Sequence, residues 1–206
     1  MRVACAPSVQ GSIPRARIAA IRRACEGTAV LLLAFCCSTL GQAQAPAGAA
    51  VSEASVKAAF LYKFLAYTEW PSAGGAAEDA PIVIAVANAS DVATEAQALV
   101  TGRTHNGRPI VVRRVKDGDQ LEGVQVLYVG PTDVARLQAW VKSAQQSSTL
   151  VVTAQERALE YGSVINLLVR EGRIRFDVSL EAAEASGLKL SSRMLSVANA
   201  VRPGRS

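Results

Sequence analysis

The chain has 206 residues, half of them apolar, with 22 basic against 17 acidic residues and a formal net charge of +5. Those figures fit one globular domain of ordinary size. The basic surplus does not mark a nucleic-acid binder, because Arg2, Arg15, Arg17, Arg22 and Arg23 precede residue 46, where only Glu26 opposes them, leaving 17 basic and 16 acidic residues in the rest. A nearly neutral body offers no electrostatic footprint for a polyanion.

Residues 1–45 read as an export signal peptide with cleavage between 43 and 49. A basic stretch ending in "RR" precedes "TAVLLLAFCCSTLG", and the small-residue patterns "AQA" and "AGA" follow. A bilayer span needs about 20 apolar residues, and this run stops short at Gly41 and Gln42. The mature chain is therefore not expected to be transmembrane. The twin arginine of "IRRACEG" and Cys36 after bulky Phe35 fit their own signals poorly, so Sec-type export to the periplasm is favoured. All four cysteines (Cys5, Cys25, Cys36, Cys37) lie in this leader. The mature body then has no disulfide, no cysteine nucleophile and no thiolate metal site.

Residues 46–55, "PAGAAVSEAS", read as a flexible linker before a single domain over 56–202. Ser52 or Ser55 is placed to cap a helix whose apolar positions Val56, Ala59, Phe60, Phe64 and Tyr67 recur at three and four residues. Pro71 is expected to end it. "PSAGGAAEDAP" is a loop, and "IVIAVAN" (Ile82–Asn88) reads as a strand covered on both faces. Ser90 or Asp91 caps the next helix, "DVATEAQALV". "TGRTHNGRP" is a turn-rich connection into the strand "IVVRRV", and "VQVLYVG" is another buried strand. Thr132 or Asp133 caps "VARLQAWVKSAQ", with Val134, Leu137 and Val141 as its stripe and Trp140 beside it. "TLVVT" is a strand.

"SVINLLVR", "EG" and "RIRFDV" form a hairpin signal, two strand-like runs separated by two turn residues. In its second arm Ile174, Phe176 and Val178 alternate with Arg173, Arg175 and Asp177, which gives one buried and one charged face. "SLEAAEASG" is a short helix ended by Gly187, and "LKLSSRMLSVANAV" runs into a terminal helix capped by Ser191 or Ser192. The order predicts an α/β domain with a mixed, mostly parallel sheet flanked by helices, a C-terminal β-hairpin and a terminal helix.

The search for chemistry is negative. His105 is the single histidine, which leaves no triad and no zinc site. "SGLK" (Ser186–Lys189) spells Ser-x-x-Lys, but Gly187 puts the serine at a helix end, where the lysine is not one helical turn onward. Glu156, Glu160 and Glu171 form no acid/base pair. No catalytic residue, metal ligand or cofactor site is expected. Glu171, Arg173, Arg175 and Asp177 are candidates for a charged recognition surface that orients a partner. Tyr62 and Trp70 lie off the expected core stripe of the first helix, and aromatics are favoured at interface cores, so they join the candidates.

"VKAAFLYKFLAYTEWP", "GRPIVVRRV", "LEGVQVLYVG" and "GSVINLLVREGRIRFDVSLEAAEASGLKLSSRMLSVANAV", in this order, resemble the YfiR family from about Val56 to Val201. The resemblance implies an exported α/β domain without enzymatic activity. It implies a periplasmic inhibitor that binds the periplasmic sensor domain of an inner-membrane diguanylate cyclase, lowering cyclic-di-GMP and biofilm formation. Homodimers are also within what it implies. The cysteines that tie the best-known relatives to redox state are missing from this mature domain. A small-molecule binding module, with a solute in the cleft at the ends of the parallel strands, is the alternative reading.

Overall fold

A computed structural model describes residues 52–71 and 80–204. The expected leader and its cleavage region, residues 46–51 of the linker and residues 72–79 of the first loop lie outside the described residues. Helix α1, Glu53–Phe64, starts three residues before the expected domain boundary, and the Ser52 hydroxyl caps it by accepting from the Ser55 N–H at 3.0 Å.

This helix does not run to Pro71. The N–H groups of Ala66 and Tyr67 turn back to the carbonyls of Lys63 and Phe64. The chain then straightens into β1, Thr68–Glu69, because a strand partner, β9 (Lys189–Leu190), takes it antiparallel. The buried face of α1 is Ala58, Leu61 and Phe64, not the expected aromatic stripe. Tyr67 is 38% exposed, and Val56 and Phe60 are half-buried. The correction follows from packing: α1 touches a second helix as well as the sheet.

The remaining elements are β2 (Ile82–Ala87), α2 (Ser90–Val100), β3 (Thr104–His105), β4 (Arg108–Arg114), β5 (Val124–Val129), α3 (Val134–Gln146), β6 (Leu150–Thr153), a 3-10 turn (Ala158–Tyr161), β7 (Ile165–Arg170), β8 (Arg173–Ser179), α4 (Leu180–Ala185), α5 (Ser192–Ser196) and β10 (Ala200–Arg202). The main sheet has the order β10-β8-β7-β6-β5-β2-β4-β3. Strands β4, β2, β5, β6 and β7 run parallel, and β8 returns antiparallel to β7. This is the mixed, mostly parallel α/β domain with a C-terminal hairpin that the sequence predicts.

The continuous apolar runs of β2, β5 and β6 are buried on both faces, as parallel strands require. Ile84, Val126, Tyr128, Leu150, Val152, Ile165 and Phe176 face α1 and α2 in one core. Ala85, Leu127, Val129 and Val151 face α3 in the other, against Leu137, Trp140, Val141 and Ala144. Val134, expected on that stripe, is 40% exposed, because it is the first residue of the helix and lies beyond the sheet it covers. Asp133 caps α3 through the Arg136 N–H at 2.9 Å, whereas α2 begins at Ser90 after Ala89 with no side-chain cap.

Two-residue turns with both φ angles positive close two hairpins. Glu171 (φ 50°) and Gly172 (φ 70°) join β7 to β8, and Asn106 (φ 51°) and Gly107 (φ 80°) join β3 to β4, the twist that hairpins prefer. The "TGRTHNGRP" connection is thus a small hairpin. The terminal helix is also shorter than expected. After α5, the Asn199 N–H donates to the Phe176 carbonyl at 2.8 Å, which draws Ala200–Arg202 into line beside β8 as an edge strand.

Phe176 of β8 meets Phe60 and Phe64 of α1 edge-on, with ring centroids 5.7 and 5.4 Å apart. Truncating fully buried Phe64 to alanine is expected to cost about 3–5 kcal/mol. Half-buried Phe60→Ala is expected to cost less, both read by urea denaturation. Equal costs would contradict this placement.

Candidate partner-binding site at the carboxyl end of the sheet

Strand β7 outruns its parallel neighbour. β6 pairs with it only at Ile165 and Asn166, whereas β8 pairs with it through Arg170. On the far side β10 reaches β8 only from Asp177 onward. Leu167–Arg170 and Arg173–Phe176 therefore project as a two-stranded ribbon about 13 Å long.

The reason β6 stops is polar. Asn166 interrupts the apolar run "SVINLLVR", and its Oδ1 accepts from the Thr153 hydroxyl at 2.9 Å and from the Gln155 N–H at 3.2 Å. That second bond captures a backbone donor that an extended β6 would have given to the ladder. Ser163 Oγ, 2.9 Å from Thr153 Oγ1, donates to the Ile165 carbonyl at 2.8 Å. Gln155 Oε1 in turn accepts from the Thr132 N–H at 2.9 Å. Buried polar groups are thereby satisfied while the chain peels away. Asn166 is 8% exposed and lines the cavity that this divergence opens, and its amide nitrogen has no acceptor among the described residues.

The cavity holds about 540 Å³ between the segment after β6, the free edge of β7 and the first turn of α1. Four consecutive residues of β7, Leu167 to Arg170, line it, so the strand presents its edge as well as a face. Glu160, on the rim, has its carboxyl held below the ordinary range by the hydrogen bond from Arg157, at 2.7 Å. Arg202 approaches the same carboxylate at 3.8 Å.

At the α1 wall, Lys57 sits 2.6 Å from Glu53 and faces the buried Tyr128 phenol of β5. Burial pulls the Lys57 amine down, but Glu53 and the Tyr128 oxygen outweigh it and hold it above its ordinary value. Burial pushes the Tyr128 hydroxyl up, with Lys57 opposing.

The ribbon has two unlike faces. Leu167, Val169, Ile174 and Phe176 lie on the α1 side, as their register pairs require. Leu168, Arg170, Arg173, Arg175 and Asp177 lie on the other, and all three arginines there are exposed. Arg170 stands directly opposite Arg173. None of these three guanidinium groups has an ion pair among the described residues. The Asp177 carboxylate accepts from the Asn199 side-chain amide at 2.7 Å, which leaves the face net positive.

The structure thus brings together four of the six sequence candidates: Arg173, Arg175 and Asp177 on one face, and Glu171 at the turn that ends it. It does not bring Tyr62 and Trp70 to them. The Trp70 indole donates to the Gln125 carbonyl at 3.2 Å, near the start of β5 and so at the opposite end of the parallel strands. Tyr62 lies under the Arg103 guanidinium, 5.4 Å from ring centre to Cζ, beyond the end of α2. Sequence reasoning overlooked Arg170, Asn166 and the free edge. The polar residue inside an otherwise buried strand run was the signal for the last two. Among the described residues no helix is long and apolar enough to cross a membrane.

What these elements define is a mixed α/β domain with a cavity and an exposed arginine face at the carboxyl end of its sheet. A family profile described as YfiR/HmsC-like matches residues 54–199, and the chain belongs to that family. The family is regulatory and non-catalytic, and it points to a periplasmic regulator of diguanylate cyclase. No curated protein matches. Among solved structures, a conserved domain protein from Vibrio cholerae O1 biovar El Tor is similar at 15% identity and a TM-score of 0.49, covering 73% of this chain and 60% of that one. The ABC domain in complex with L-Trp from Streptococcus pneumonia is similar at 13% identity and a TM-score of 0.42, covering 58% and 55%. The chain therefore spans about three fifths of the length of these structures.

The two raised groups at the α1 wall set an alkaline limit. Both keep their protons more tightly folded than unfolded, so their contribution is intact below the ordinary values of 10.0 for Tyr128 and 10.5 for Lys57 and is lost as pH rises past them. Tyr128→Phe removes the phenolate that the fold excludes. Its urea stability is expected to fall less steeply between pH 9.5 and 11 than that of the parent. Parallel curves would show that the phenol is not held in this way.

Proposed function

We propose that this chain is a periplasmic, non-enzymatic regulatory protein that binds the periplasmic sensor domain of an inner-membrane diguanylate cyclase and restrains it. The consequence is lower cyclic-di-GMP and less biofilm. The observation that carries this reading is the YfiR/HmsC-like match across residues 54–199. The projecting ribbon supports it, because it gives a protein partner a charged, accessible face built on a rigid sheet. Glu171, Arg173, Arg175 and Asp177 are the contact residues on this reading. Tyr62 and Trp70, pinned at the other end, are left to a second contact of the same partner or to none.

Deleting the chain is expected to raise cyclic-di-GMP several-fold, and the tagged protein is expected to retain a cyclase from solubilised inner membrane. Arg173→Glu with Arg175→Glu should weaken that retention by about 2 kcal/mol or more, the scale of interface hot spots. Unchanged cyclic-di-GMP on deletion, with no membrane partner retained, sinks the reading.

The cavity favours a second reading, a solute-binding module, since open α/β sheets bind small ligands at the carboxyl ends of their strands. Its volume lies within the range of small-molecule sites. A ligand at a hundred times its Kd would stabilise the fold by about 2.7 kcal/mol. A thermal-shift screen across metabolites reads this directly, and a flat response across the panel removes it.

A further inference from the structure

We propose that Leu167–Arg170 of β7 is a docking edge for an extended, acidic segment of the partner protein. The segment adds as a strand in the line that β6 vacates and turns its carboxylates toward Arg170 and its neighbours. This deepens the regulatory reading by giving its partner a chemistry and a mode of attachment.

Three independent observations meet here. The first is the edge. Beyond Asn166 no described strand pairs with β7 on the side of β6, and the four residues of that edge line the cavity one after another. A free edge presents N–H and C=O groups in a row, and such edges are normally covered, charged or paired. A peptide backbone matches the whole row, as in strand addition, where main-chain bonds give affinity and alternate side chains give specificity. A small solute would meet only a part of it.

The second is charge. Arg170 and Arg173 oppose each other across the hairpin, an arrangement of like charges that destabilises a sheet. Arg175 adds a third guanidinium on the same face, and no carboxylate among the described residues pairs with any of them. An arriving carboxylate relieves that repulsion with charge-assisted bonds in the forked geometry guanidinium favours. Residues of an added strand level with Leu168 and Arg170 place their side chains on this same face. The third is Asn166, a residue 8% exposed that lines the cavity and whose amide nitrogen has no acceptor among the described residues.

The same charges argue against a second copy of this chain as the occupant. Two such edges paired about a two-fold axis normal to the sheet put both arginine clusters on one continuous face.

The test uses the full chain purified after export and a fluorescein-labelled seven-residue peptide that alternates glutamate with valine. Saturable binding by anisotropy is expected, together with slowed hydrogen exchange at Leu167–Arg170. A lysine–valine peptide should bind at least tenfold more weakly. So should a glutamate–valine peptide N-methylated at alternate residues, which keeps its charge and loses its donors. Arg170→Glu with Arg173→Glu should lower the affinity at least tenfold, and Arg170→Gln with Arg173→Gln gives the same direction without reversing charge.

Equal binding of the N-methylated peptide would leave a charge contact only and overturn strand addition. Equal binding of the lysine peptide, or no binding at millimolar peptide, would overturn the acidic occupant. Self-association abolished by the arginine variants, with no peptide bound, would reassign the edge to a second copy. None of these readouts involves a cyclase. Failure of the docking edge and failure of the regulatory reading, which deletion and cyclic-di-GMP decide, are therefore separate results.

Discussion

Phe176 is gripped between Phe60 and Phe64, with centroids 5.7 and 5.4 Å away, and the carboxyl end of the molecule depends on that grip. A two-stranded ribbon is marginal in water by itself. Here the aromatic contact fastens one face of the β7–β8 ribbon to α1, and the hairpin stands beyond the sheet without a third strand. Because α1 covers only that face, the other remains bare and carries arginines. Because no strand continues beside Leu167–Arg170, the edge remains open. The charged face, the free edge and the cavity are three consequences of one hairpin held from one side.

The length of that hairpin has a cause in a single side chain. Asn166 accepts the Gln155 N–H and the Thr153 hydroxyl, replacing backbone pairing at the point where β6 would otherwise continue. An apolar residue there would leave the part-buried Gln155 N–H unanswered, at about 1–3 kcal/mol, while the Thr153 hydroxyl would keep Ser163 Oγ and the Ile165 carbonyl. Stability and the shape of this end of the sheet are thus coupled at Asn166. The network that keeps this end of the sheet satisfied is also what opens the cavity beside β7.

Composition concealed the charge that matters. The chain beyond residue 45 is nearly neutral, and it offers no field for a polyanion. Yet the tertiary fold sets Arg170, Arg173 and Arg175 side by side while Asp177 is tied to Asn199. A local excess emerges from a balanced average because pairing in the sheet sorts residues by face, irrespective of the sign of their neighbours.

Much of the fold was legible in the sequence. Unbroken β-branched runs gave the buried parallel strands, "EG" between two strand-like runs gave the hairpin, and the pairs Ser52/Ser55 and Thr132/Asp133 marked helix starts. The alternation of Arg173, Arg175 and Asp177 with Ile174, Phe176 and Val178 even assigned the charged face. These are local signals, set by the two-residue period of a strand and by the backbone donors a helix start leaves open. The tertiary structure alone decided where strands end and what lies beside them. The short strands β1, β9 and β10 exist because a distant segment pairs with them, and two or three residues carry too little pattern to announce it. The buried face of α1 shifted to Ala58, Leu61 and Phe64 because a helix wedged between a sheet and another helix answers to both. Tyr62 and Trp70 went to the far end because the direction of α1, fixed only by packing, put them there. The free edge of β7 is the clearest case: whether a strand has a neighbour is a property of two segments, and no single stretch of sequence contains it.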